Sequence, residues 1–155
     1  MAGGYPGVAR MNVRIRSYRD LVVYQVASEL KVRVYRSTIG FPAPERYGLV
    51  SQMRRAAVSV TANIAEGYRR KTRNEYAQFL MFAHGSCSEL DDHFALSKDI
   101  GYMPDEVYRE LHTLDVKVSR LLTNLISALK NHRRHNPPIP QPQDVPRTHC
   151  VDTSP

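Results

Sequence analysis

The chain has 155 residues, 42% of them hydrophobic, and carries a formal net charge of +7 from 22 Lys+Arg against 15 Asp+Glu. That length suits one domain with a single core, and that composition excludes wholesale disorder. Two cysteines, Cys87 and Cys150, are too few for a disulfide framework and point to a reducing cytoplasm. No apolar run approaches the roughly 20 residues of a membrane span, and the N-terminal MAGGYPGVAR lacks the apolar stretch of a signal peptide.

Residues 1–16 are rich in Gly and Arg, show no periodicity, and read as a flexible basic arm. The first helical segment covers residues 17–39. Ser17 with Asp20 forms a capping-box pattern, and Val23, Ala27, Leu30 and Val34 follow helical spacing. The Pro-containing run FPAP ends it. The second segment, residues 45–66, carries Leu49, Met53, Ala56, Ala57, Val60 and Ile64 as one stripe. Gly67 is expected to stop it. The third, residues 73–100, opens on a second capping box, Thr72 with Glu75. Its apolar face is Tyr76, Phe79, Leu80, Ala83, Cys87, Leu90 and Phe94, and Gly101 closes it. The fourth, residues 104–130, places Pro104 at the first helical position and Asp105 and Glu106 at the positive end of the dipole. Val107, Leu111, Leu114, Val118, Leu121, Leu125 and Leu129 form a near-heptad seam. Residues 131–155 are rich in Pro and read as a disordered tail.

Rods of this length, about 33–42 Å, joined by short connections must run antiparallel to their neighbours. The expected fold is therefore all-α: an antiparallel up-down-up-down four-helix bundle over residues 17–130. No strand pattern competes.

The charge is unevenly spread. Residues 1–73 hold 14 basic and 4 acidic residues, whereas residues 74–130 hold 5 basic and 9 acidic ones. A fold that separates these stretches would have a basic and an acidic face, and copies of such a molecule could attract each other. The basic residues concentrate in one cluster, Arg54, Arg55, Arg69, Arg70, Lys71 and Arg73 with Tyr68 interleaved, and in a second that runs from the arm into the first helix as Arg10, Arg14, Arg16 and Arg19. Arg matches phosphate in a bidentate geometry and Tyr can stack on an unpaired base, so both clusters are candidate nucleic-acid contacts. A polar stripe of Gln52, Arg55, Ser59 and Glu66, with Asn63 beside it, flanks the apolar face of the second segment. It reads equally as a subunit contact or recognition ridge, or as an internal network that fixes helix register.

The run LVSQMRRAAVSVTANIAEGYRRKTRNEYAQFLMFAHGSCSELDDHFALSKDIGYM, with SYRDLVVYQVASEL and FPAPERYGL before it, resembles the four-helix-bundle proteins encoded by intervening sequences in bacterial large-subunit ribosomal RNA genes. The likeness spans about residues 17–130, and RRAAVSVTANIAEG is its most specific part. It implies a ring-shaped homopentamer. It also implies kinship in fold with the accessory variability proteins of diversity-generating retroelements, which bind nucleic acid and a reverse transcriptase. The long arm and the Pro-rich tail depart from the family pattern.

Catalysis finds little in the residues. There is no Gly-rich phosphate loop, nucleophile elbow or paired CxxC. His84, Cys87 and Asp91 share a helical face, but Cys87 belongs to the apolar stripe, so no metal and no cofactor is expected. Arg109 and His112 are too closely spaced to match the Arg and His of helical RNA-cleaving domains, and the His132 to His135 cluster lies at a helix end. The expectation is a non-catalytic cytoplasmic oligomer that binds RNA or single-stranded nucleic acid. One alternative is an accessory subunit that presents template RNA to a reverse transcriptase. The other is a purely structural or protein-binding oligomer.

Overall fold

A computed structural model describes residues 15–131. The expectations for Arg14, most of the N-terminal arm, the tail, Cys150 and the His132 to His135 cluster lie outside them.

Four α-helices carry the structure: α1 (Val22–Ser37), α2 (Leu49–Tyr68), α3 (Arg73–Asp99) and α4 (Asp105–Asn131). Each packs on its chain neighbour, and α1 closes the square against α4. The bundle is all-α and runs up-down-up-down. The core takes Val23, Ala27, Leu30 and Val34 from α1 and the whole expected stripe of α2. From α3 and α4 come Leu80, Ala83, Cys87, Leu90, Phe94, Leu111, Val118 and Leu122. Among the described residues no helix is long and apolar enough to cross a membrane.

Both capping boxes form. Glu75 N–H donates to Thr72 Oγ1 at 3.2 Å while the Glu75 carboxylate accepts from Thr72 N–H at 3.3 Å, which satisfies amides at the start of α3. The Ser17 box closes a 3-10 turn, Tyr18–Asp20, instead of the long helix itself. Leu21 is extended after it (ψ 125°), so α1 has only 16 residues, well short of α3 and α4 with 27 each. The second segment also starts later than its pattern suggests. Residues Ala43–Arg46 form another 3-10 turn, and the Glu45 carboxylate accepts from Leu49 N–H at 3.1 Å at the start of α2.

Three further expectations need correction. Gly67 does not stop α2, which continues through it to Tyr68. Gly67 is buried where α2 meets the first turns of α3, and a Cβ there would come within 2.8 Å of the Tyr76 ring and 2.9 Å of Phe79 Cβ. Its function is close packing, whereas Gly101, at φ +78°, does close α3 as expected. Pro104 precedes the first helical residue of α4 rather than occupying it, and its carbonyl accepts from Tyr108 N–H at 3.0 Å. The buried line of α4 is Leu111, Asp115, Val118 and Leu122, while Leu114, Leu121, Leu125 and Leu129 are only half-buried. A carboxylate therefore sits in the core line.

Candidate nucleic-acid interface

The up-down topology brings four chain positions to one end of the bundle: the approach to α1, the α2–α3 loop, the start of α3 and the end of α4. These are the Arg-dense stretches. Arg16 and Arg19 arrive from the first turn, Arg69, Arg70 and Lys71 from the loop, Arg73 from α3, and all are exposed. Lys130 joins them from α4, lining with Arg73 and Asn74 a shallow cleft between the two helix ends. Position along the chain alone does not group Lys130 with the others; the up-down topology does.

Tyr18 organises the centre of this end. The Arg19 guanidinium lies 4.7 Å from the ring centroid and that of Arg69 lies 5.9 Å from it, with Tyr24 packed edge-on at 4.8 Å. Two cations gathered on one aromatic ring repel each other, and an anion between them relieves that repulsion. Arg70 extends over Phe79 at 4.5 Å, and Tyr68 packs edge-on against Tyr76. Burial, and then the neighbouring Tyr68, raise the Tyr76 hydroxyl to about 12, so it stays protonated.

The carboxylates of this end are already engaged. Asp20 accepts from the backbone N–H groups of Arg16 at 2.8 Å and Ser17 at 2.9 Å, which hold it below the usual carboxylate range. Glu75 is lowered first by the Thr72 hydroxyl, and also by the Thr72 backbone and by Arg70 and Lys71 nearby. Glu66 pairs with Arg70. Among the described residues, no carboxylate lies within 4.0 Å of the charged groups of Arg16, Arg19, Arg69, Lys71 or Arg73.

Arg54 and Arg55 belong elsewhere. They precede Arg69 by 15 and 14 positions on α2, which places them about 21–22 Å along the helix from the basic end. Arg54 Nε donates to Thr38 Oγ1 at 2.9 Å, and its guanidinium lies 4.9 Å from the Tyr35 ring centroid, so it ties α2 to the end of α1. Arg55 donates to Gln52 and stands 3.8 Å from Glu89 of α3. The single cluster expected from the sequence is thus two sites at opposite ends of α2.

Along the polar stripe, Ser86 Oγ of α3 donates to Ser59 Oγ at 2.9 Å, and Asn63 Nδ2 donates to Ser59 O at 2.9 Å and Ser59 Oγ at 3.1 Å. Ser59 therefore links α2 to α3, while Arg55 engages Gln52 and Glu89 and Glu66 finds its partner just beyond its own helix. The His84, Cys87 and Asp91 face splits as well: Asp91 Oδ1 pairs with His112 Nδ1 at 2.6 Å, and Cys87 is fully buried. Among the described residues no three His, Cys, Asp or Glu side chains are placed to hold a metal ion.

Comparisons with known proteins agree with this architecture. The family described as 23S rRNA-intervening sequence protein matches residues 19–124. Among solved structures, a protein of unknown function from the S23 ribosomal protein family of Bacteroides thetaiotaomicron VPI-5482 superposes with a TM-score of 0.62 at 22% identity, covering 68% of this chain and 98% of that one. At that identity the likeness speaks for the fold alone. No curated protein matches the chain.

Proposed function

The chain belongs to the 23S rRNA-intervening sequence protein family, and from that premise we propose that it is a non-catalytic, homo-oligomeric scaffold that binds RNA or single-stranded nucleic acid in the cytoplasm. One observation carries the reading. Among the described residues, seven cations from four separate chain positions converge on one end of the bundle, where three nearby carboxylates are committed to backbone amides or to Arg70. The half-buried rings of Tyr18 and Tyr68 and the exposed guanidinium groups there offer stacking surfaces as well as charge.

Assembly multiplies this effect. On the α1–α2 face, Val32, Tyr35 and Val58 are 42–43% exposed and line a shared shallow groove. Covering them with another copy, in the pentameric ring that the family resemblance implies, would set several basic ends side by side. Counterion release makes affinity depend on the number of phosphates neutralised, with a slope of roughly −0.7 per contact for single strands in a plot of log K against log salt.

The test is a salt titration of RNA binding with the quadruple variant R69A/R70A/K71A/R73A beside the parent. Affinity at low salt should fall at least about tenfold and the slope should flatten by about 1 or more. Light scattering on the same samples reports assembly. Equal slopes for the two proteins, or no RNA affinity in the parent at low salt, would leave only the structural or protein-binding oligomer.

A further inference from the structure

The seam between α3 and α4 holds an acid that the RNA reading does not use. Asp115 is 4% exposed in the core line of α4, and its Oδ1 has no hydrogen-bond partner. Its neighbour is the buried Cys87 thiol of α3. One turn away on α4 is His112, stacked on Tyr108 and paired with Asp91 of α3. We propose that Asp115 is a proton-operated latch between α3 and α4, closed when its carboxyl is protonated and strained when it ionises.

The physical case starts with solvation. A carboxylate in an apolar seam loses its water shell, and an oxygen with no donor facing it recovers nothing. A protonated carboxyl suits the same place far better. Burial is accordingly the largest influence on Asp115 and pushes it up to about 7. From α3, the Cys87 thiol favours the ionised form and the Asp91 carboxylate opposes it. From α4 itself, His112 favours the ionised form. No charged group of α1 or α2 perturbs it. The same burial, with Asp115 next, pushes the Cys87 thiol up, so no thiolate forms to compete for the proton.

The sign follows from linkage. The folded state holds this proton more tightly than the unfolded chain, whose Asp titrates near 3.8. The stabilisation is therefore complete below about pH 4 and is lost as pH rises through about 7. Between pH 5.5 and 8.5 the folding equilibrium constant should fall about thirtyfold from this group alone.

Urea unfolding of the full chain and of Asp115→Asn at both pH values tests the latch. The parent should lose about thirtyfold more in its folding constant than Asp115→Asn, since the amide cannot ionise. Equal losses in the two proteins overturn the proposal. A second measurement covers the case in which Asp115→Asn does not fold. The carboxyl carbon of Asp115 in the parent, followed by NMR, should titrate with its midpoint near pH 7, and a midpoint below pH 5 overturns the proposal whatever the variant does.

Discussion

Two glycines on adjacent helices should respond to the same substitution with opposite signs. Gly85 lies exposed within α3, with nothing within 4 Å of where a Cβ would sit. Gly85→Ala gains helix propensity and should stabilise by about 0.5–1 kcal/mol. Gly67→Ala gains the same propensity, but its methyl would stand 2.8 Å from the Tyr76 ring and 2.9 Å from Phe79 Cβ. The ring of half-buried Tyr76 can swing aside. Phe79 Cβ is bonded to the backbone of α3 and moves only if that helix moves. Overpacking of this kind costs about 1–3 kcal/mol, so the net effect should be a loss of about 1–2 kcal/mol. For a domain of this size that separates the two variants by roughly 5–10 °C in Tm. Thermal unfolding followed by circular dichroism reads the difference. If Gly67→Ala stabilises as Gly85→Ala does, close packing is not why glycine occupies position 67. Displacing the start of α3 also shifts Arg73 relative to Arg69, so Gly67→Ala should weaken RNA binding more than its stability loss alone explains.

Other substitutions separate the basic end from the rest of the molecule. R54A should leave the salt slope of RNA binding unchanged, since Arg54 faces Thr38 and Tyr35 at the far end of α2. It should cost about 1 kcal/mol of stability through the lost hydrogen bond and cation–π contact, seen in urea unfolding. A slope as flat as that of the quadruple variant would extend the interface along the whole of α2. Thr72→Ala removes one arm of the capping box and should lower stability by about 1 kcal/mol, with faster amide exchange confined to the first turn of α3.

Much of the bundle was legible because helical periodicity reports burial directly. Every residue of the α2 stripe named from spacing is buried, and so are Leu80, Ala83, Cys87, Leu90 and Phe94 of α3. The ends of the elements were less legible. A capping box signals satisfied amides but not how many residues follow, so the Ser17 box turned out to close a 3-10 turn. A glycine after a helical run signals either a stop or a close approach. Only the position of α3 shows that Gly67 is the second. In α4 the leucines drew the seam one way while burial follows Leu111, Asp115, Val118 and Leu122. Their spacing of 4, 3 and 4 residues was present in the sequence, but a polar residue in the line concealed it.

The basic site illustrates the same limit from the other side. Linear distance in a helix is physical distance, so Arg54 and Arg55 were bound to lie about 20 Å from the loop that follows α2. Linear distance between helices carries no such meaning. Arg19 and Arg69 are 50 positions apart in the chain yet share the ring of Tyr18. Topology alone unites them: an up-down bundle returns the chain to the same end after every second helix. Charges placed before α1, between α2 and α3, and at the close of α4 therefore add to one another, while equal charges placed mid-helix or between α3 and α4 do not. Lys98 and Arg109, at the opposite end, meet Asp105 there and are neutralised. The net charge of +7 is thus a poor guide to where positive charge gathers on the bundle, and the positions of cations relative to the turns are a better one.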